Sequence, residues 1–264
     1  MHLVTHGTGT PVLSLHGWTV DHRIMSGCLE PLFTRRPGYR RLYPDLPGMG
    51  RTPAGTATSS DDILAAVLTL IGTALGGTPF LLVGESYGGY LSRAVARALP
   101  GQVLGLALIC PVGQTLDRDL RVRPPHHVLR STPGLLDDLD PATLAEYADT
   151  AVVQTPQTLR RFRDDIAPAL QLTDQAAIAR FEQRWHLTEG PEGAAPFARP
   201  TLFLCGRQDS SVGYADQYAL LPHYPRATFA VLDVAGHNLQ FDQPTLFEAL
   251  MDEWLDRCAA EPPM

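Results

Sequence analysis

Six short apolar runs recur along the chain with almost no polar alternation: PVLSLHG from Pro11, RRLYPDLPG from Arg40, PFLLVGES from Pro79, VLGLALICP from Val103, PTLFLCGRQD from Pro200 and TFAVLDVAGH from Thr228. Such runs predict strands covered on both faces, as in a parallel sheet flanked by helices. Between them the apolar period changes to that of a helix. Over Asp61 to Leu75, Ile63, Leu64, Val67 and Ile71 share one face, with Ser60 or Asp61 as the cap. A second helix is predicted from Asp242 to Cys258, with Leu246, Phe247, Leu250 and Trp254 on its stripe. Strand and helix in alternation predict an α/β class: a mostly parallel central sheet, right-handed crossovers and helices on both faces.

The rhythm breaks between about Gln114 and Arg199. PATLAEYADTAVV, PQTLRRFRDDIAPAL and DQAAIARFEQRW all carry helical periods, and the stretch contains no convincing strand. It reads as a helical insertion over residues 114–199, splitting a core made of 1–113 and 200–264. An all-helical insertion beside a sheet edge suits a lid, and it equally suits a static cover.

Composition narrows the chemistry. The 264 residues, 44% of them hydrophobic, can bury a substantial core. A net charge of −7 and scattered arginines give no footprint for nucleic acid. Every basic side chain besides histidine is arginine, so Schiff-base lysines, Ser-Lys dyads and P-loop lysines are excluded. Cys28, Cys110, Cys205 and Cys258 lie far apart without metal-ligand spacing, and are read as small buried hydrophobes. No metal site and no organic cofactor is expected. The opening MHLVTHGTGTP lacks a secretory pattern and no stretch has the length of a membrane span, so a soluble cytoplasmic protein without a membrane partner is expected.

Candidate chemistry centres on Gly84-Glu85-Ser86-Tyr87-Gly88, which sits between a predicted strand and a predicted helix. In this setting G-x-S-x-G forms a strained turn that presents the serine above the sheet and at a helix N-terminus. A serine nucleophile needs a base and an orienting acid. His237, after the last strand-like run, and Asp209, in GRQD at the end of the preceding one, fill these roles. Strand-end loops of a parallel sheet open on one side, so the three can converge. Upstream, His16 and Gly17 follow a strand and turn the next backbone N–H toward a cavity; the oxyanion hole is assigned to the N–H groups of Trp18 and Tyr87. His16 is read as shaping that loop, His126 and His127 as solvated, Asp117 and Asp119 as rivals to Asp209, and Glu85 as a structural or rim residue. Trp18, Tyr87, Phe162 and Trp185 are candidates for the pocket wall, or for core.

Taken together, LSLHGW, YPDLPGMGRT, LVGESYGGYLSRAVA, LFLCGRQD and VAGHNLQFDQP resemble, in order and spacing, the lid-bearing serine hydrolases of the α/β-hydrolase superfamily. The resemblance covers nearly everything but the insertion. It implies the α/β-hydrolase fold and a serine hydrolase acting on a small-molecule carboxylic ester. The same resemblance admits carbon–carbon bond hydrolases, thioesterases, cofactor-free haloperoxidases and lyases, and a small-molecule receptor with vestigial activity. Haloalkane dehalogenases and epoxide hydrolases are disfavoured, because Ser86 stands where they require a carboxylate. The chain departs from the family pattern in two places: it opens almost at the family's second strand, and Met49 replaces a common polar residue. An open sheet edge would follow, and with it an opportunity for a homo-oligomer.

Overall fold

A computed structural model describes residues 1–137 and 139–261 of the protein. Position 138 of the expected insertion and 262–264 of the expected core lie outside the described residues. The chain opens with β1 (Leu3–His6) and β2 (Thr10–Leu15), then α1 (His22–Arg35), β3 (Tyr39–Pro44), α2 (Ser60–Leu75), β4 (Phe80–Glu85), α3 (Ser86–Ala98) and β5 (Val103–Ile109). After β5 come β6 (Arg130–Ser131), α4 (Pro141–Ala148), β7 (Val153–Gln154), α5 (Pro156–Asp165), α6 (Ala167–Leu172) and α7 (Gln175–Glu182). The main sheet resumes with β8 (Thr201–Gly206), followed by α8 (Ala215–Tyr218), β9 (Ala227–Leu232), α9 (Leu239–Asp242) and α10 (Pro244–Ala259).

Seven strands form the sheet in the order β1-β3-β2-β4-β5-β8-β9. All pair in parallel except β1, which runs antiparallel to β3. Helices α1 and α10 touch on one side of the sheet, while α2 packs with α3. The six apolar runs each contribute a strand, and every residue of β4 and β8 is buried. β1 escapes the sequence pattern because it is only four residues long and half exposed. It occupies the position beside β3, so the sheet edge there is a short antiparallel strand.

The two predicted helices form with adjusted ends and faces. Ser59 rather than Ser60 or Asp61 caps α2, accepting the Asp62 N–H, and Gly76 ends the helix in the left-handed region at φ 54°. In α10 the buried stripe is Phe247, Met251, Trp254 and Leu255; Leu246 is exposed. Trp254 lies fully in the core, where its indole N–H donates to the Pro200 carbonyl at 3.1 Å. The thiols of Cys28, Cys110 and Cys205 are buried and unpaired, with Cys258 half-buried. Burial pushes the Cys28 thiol up to about 12. Met49 is fully buried.

The stretch between β5 and β8 carries the four helices α4 to α7, with one addition to expectation. Its two-residue strands β6 and β7 pair in parallel, away from the main sheet. Its later half is fastened to the sheet side by buried polar bonds: Thr173 Oγ1 to the Thr19 carbonyl (2.8 Å), the Leu187 N–H to the Tyr90 hydroxyl (2.9 Å) and Ser60 Oγ to the Trp185 carbonyl (2.6 Å).

Close backbone contact between α3 and β2 sets the height of the helix over the sheet. A Cβ on Gly88 would fall on the carbonyl oxygens of Leu15 and His16, backbone atoms with nowhere to go. Gly88→Ala is expected to destabilise the protein by about 1–3 kcal/mol through overpacking. Gly72→Ala, in the last turn of α2 with nothing near its Cβ position, is expected to be neutral or to stabilise by up to ~1 kcal/mol. Urea unfolding of the two variants checks both expectations.

Candidate functional site

Ser86 is the first residue of α3 and has φ 50°, a conformation that a residue with a Cβ occupies only under strain of about 1–3 kcal/mol. Gly84 and Gly88 permit the turn, since a Cβ on Gly84 would run into the Gly88 carbonyl and the Ser92 hydroxyl. The Ser86 carbonyl accepts the Val112 N–H at 3.1 Å, which ties the turn to the end of β5. Ser86 is held at 8% exposure on the wall of a cavity of about 660 Å³.

Three sequence-distant side chains meet there. Ser86 Oγ lies 2.9 Å from His237 Nε2, and His237 Nδ1 lies 2.8 Å from Asp209 Oδ2. Asp209 is fully buried, and its other oxygen accepts the N–H groups of Ser211 (2.8 Å) and Val212 (2.9 Å). A carboxylate so engaged can only accept, so Nδ1 of His237 donates and Nε2 is free to accept the serine proton. The loop carrying His237 is itself pinned. The Ala235 N–H donates to Gln208 Oε1 (3.0 Å) and the Gly236 N–H to Asp242 Oδ2 (2.8 Å). Burial pushes the Asp242 carboxyl up to about 6, despite that N–H and the N–H of Val153 in β7.

His16 stands apart from this relay. Its Nε2 accepts the Leu46 N–H at 2.9 Å, so Nδ1 carries the proton and donates to the Gly17 carbonyl at 2.8 Å. Burial keeps its pKa low, and the neutral ring fastens the loop after β2 to the loop after β3. Among the described residues the backbone N–H groups of Trp18 and Tyr87 have no protein acceptor, and Tyr87 stands at the free N-terminus of α3.

Glu85 was the residue least legible in advance. It is no rim residue: it is 2% exposed, its Oε1 lies 3.5 Å from His237 Nε2, and its carboxyl fills the space where a Cβ of Gly17 would sit. Burial raises its pKa, with the Asp209 charge adding to the rise, while His237 and the Gly17 N–H oppose it. Burial alone would lower the pKa of His237, but the carboxylates of Asp209 and Glu85 raise it, against the nearby Arg121. The signal available in the sequence was a carboxylate closing an otherwise apolar buried strand.

Of the expected pocket residues, Trp18, Phe162 and Trp185 line the cavity. The Tyr87 side chain does not. It is fully buried, donates its hydroxyl to Ser60 Oγ at 2.8 Å, and packs its ring 4.8 Å from Trp18 and 4.6 Å from Trp185, which turns it into the core. Asp117 reaches the cavity wall, but its carboxylate accepts the Asp119 N–H rather than serving His237. His126 and His127 do not line the cavity. Arg121, which carried no role in the sequence, does. Two groups of potential metal ligands cluster among the described residues, His2-His22-Asp45 and Cys110-Asp209-His237. In both, the carboxylate oxygens already accept hydrogen bonds; those of Asp45 take His22 Nδ1 (2.7 Å) and the Arg51 N–H (2.8 Å). No described helix is long and apolar enough to cross a membrane.

Comparison with known proteins agrees with this architecture. A family model described as alpha/beta hydrolase fold matches residues 10–244. A pimeloyl-[acyl-carrier protein] methyl ester esterase of Legionella pneumophila (strain Paris) is 24% identical over 97% of this chain and 99% of its own length. One of the same name from Xanthomonas campestris pv. campestris (strain B100) is 28% identical over 90% and 91%. Among solved structures, an alpha/beta superfamily hydrolase from Oenococcus oeni PSU-1 superposes with a TM-score of 0.89 at 31% identity, covering 98% of this chain and 96% of that one. With the family model spanning most of its length and a structural relative matching it almost end to end, the chain belongs to the α/β-hydrolase fold family.

Proposed function

We propose that the protein hydrolyses carboxylic esters of small molecules through a covalent acyl-enzyme, with Ser86, His237 and Asp209 as its catalytic triad. The observation that carries this reading is the unbroken hydrogen-bonded chain from Ser86 Oγ through the imidazole to Asp209, with the serine held at positive φ. The esterase names of the Legionella and Xanthomonas relatives support the bond class. Ser86 Oγ attacks the ester carbonyl while His237 Nε2 takes its proton, and the backbone N–H groups of Trp18 and Tyr87 receive the charge that develops on the carbonyl oxygen. The tetrahedral intermediate collapses, His237 gives its proton to the departing alcohol, and the acyl group stays on Ser86. Water then repeats the attack with His237 again as base, releasing the acid and restoring the serine.

In this reading residues 114–199 act as a cap on a core of 1–113 and 200–264. Support comes from the cavity wall, to which the segment contributes Phe162, Leu170 and Trp185 opposite Ser86 and His237. Its bonds from Thr173, Trp185 and Leu187, and that of Arg123 Nη1 to the Ser210 carbonyl (2.8 Å), seat it on the core.

Ser86→Ala is expected to lower turnover of a chromogenic short-chain ester by at least about a thousandfold, with an unfolding transition close to that of the parent; retained turnover would remove Ser86 from the role.

The pH profile supplies a second check. His237 must be neutral to act, and the carboxylates around it hold its pKa above the ordinary 6.5. The kcat/KM is therefore expected to fall as pH drops, with a midpoint above 6.5. Glu85→Gln removes a negative charge facing Nε2, destabilises the imidazolium and moves that midpoint to lower pH. A profile that is flat from about pH 5 to 8 would contradict His237 as the base.

A further inference from the structure

Among the described residues two arginines are buried, and only one of them forms an ion pair. Arg93, a residue of α3 that is 1% exposed, pairs with Glu192 at 2.9 Å and donates to the Gly113 carbonyl. Arg121, 8% exposed on the wall of the cavity that holds Ser86 and His237, has no carboxylate within ion-pair distance among the described residues. Its Nε and Nη2 donate to the carbonyls of Thr115 (3.2 Å) and Leu116 (2.9 Å), which fixes the plane of the guanidinium. Nη1 forms no hydrogen bond to a protein acceptor among the described residues and keeps access to solvent.

The surroundings deepen the imbalance. Burial lowers the pKa of Arg121, and Arg118 and Arg123 lower it further; Asp209 and Asp216 act in the opposite sense, but only from a distance. Asp209 is committed to His237, Ser211 and Val212. Of the acids on the cavity wall, Glu85 faces His237 and Asp117 takes the Asp119 N–H, and neither Glu146 nor Glu182 forms an ion pair with Arg121. A buried cation without an anion is costly to retain, and breaking or omitting its partner is unfavourable by several kcal/mol in general. An anionic group on the molecule that fills the cavity would meet this unpartnered donor.

We infer that the substrate carries a carboxylate at one end, bound by Nη1 of Arg121, with Arg118 at the cavity wall adding positive charge, so that the preferred ester is a half-ester of a dicarboxylic acid. This rests on the ester-hydrolase reading above and names its substrate class. One free guanidinium nitrogen suits a single negative charge better than a phosphate dianion, which calls for several converging donors.

The test compares para-nitrophenyl hemiadipate with the neutral ester that has an isopropyl group in place of the carboxylate, in turnover by the parent enzyme and in calorimetric binding to Ser86→Ala. The hemiadipate is expected to be favoured on the order of tenfold or more, in KM rather than kcat, as for a hydrogen bond to a charged group. That ratio is expected to collapse toward one in Arg121→Gln and to survive in part in Arg121→Lys. Equal use of both esters, a ratio unchanged by Arg121→Gln, or tighter binding of the matching phosphate-tailed ester would overturn the inference. Because Arg121 also holds two loop carbonyls, the Ser86→Ala binding comparison needs no change at position 121 and decides the question if the variants fail to fold. Selective binding of the hemiadipate without turnover of either ester would sink the ester-hydrolase reading and leave only the carboxylate site at Arg121 standing; turnover without selectivity would overturn the inference and leave the ester-hydrolase reading intact.

Discussion

The molecule depends on one tight contact between backbones. α3 starts at the end of β4 and lies so close to β2 that only glycine fits at position 88, against the carbonyls of Leu15 and His16. That approach forces the sharp turn at Ser86 and its positive φ. It also brings the loop after β2 alongside the start of α3, so Trp18 and Ser86 share the wall of one cavity. His16 secures the same loop from behind, through bonds that a neutral imidazole alone can make in both directions.

Around this contact the charges are arranged asymmetrically. The imidazole of His237 has a fully buried carboxylate at Nδ1 and a second buried carboxyl near Nε2, with a guanidinium elsewhere on the cavity wall. Asp209 is saturated by donors, so its position is fixed. Glu85 is less well served: its recorded neighbours are His237 and the Gly17 N–H, and burial raises its pKa. Two acids at one imidazole thus have unequal character, one held by three donors and the other buried with fewer.

Much of this was legible in the sequence because the elements carrying it are long and strongly patterned. The fully buried β4 and β8 read as apolar runs, and their ends delivered Ser86 and Asp209 in the expected chain order. What escaped has physical reasons. β1 is too short and too exposed to leave a pattern. The two-residue strands β6 and β7 exist only because distant backbones happen to align. Tyr87 adjoins the serine in sequence, yet its side chain points away from the cavity to Ser60, a direction that residue type cannot reveal. Glu85 and Arg121 draw their character from partners they have or lack in three dimensions, and no local spacing encodes that.

The hydrogen bond between Ser86 and His237 joins residues 151 positions apart. The entropy of closing so long a loop exceeds what one such bond returns, so the bond is a product of the assembled sheet and contributes little to holding it together. The chain pays for convergence through its core, and the reactive geometry therefore persists or vanishes with the cooperative structure as a whole. No fragment ending before β9 could contain it.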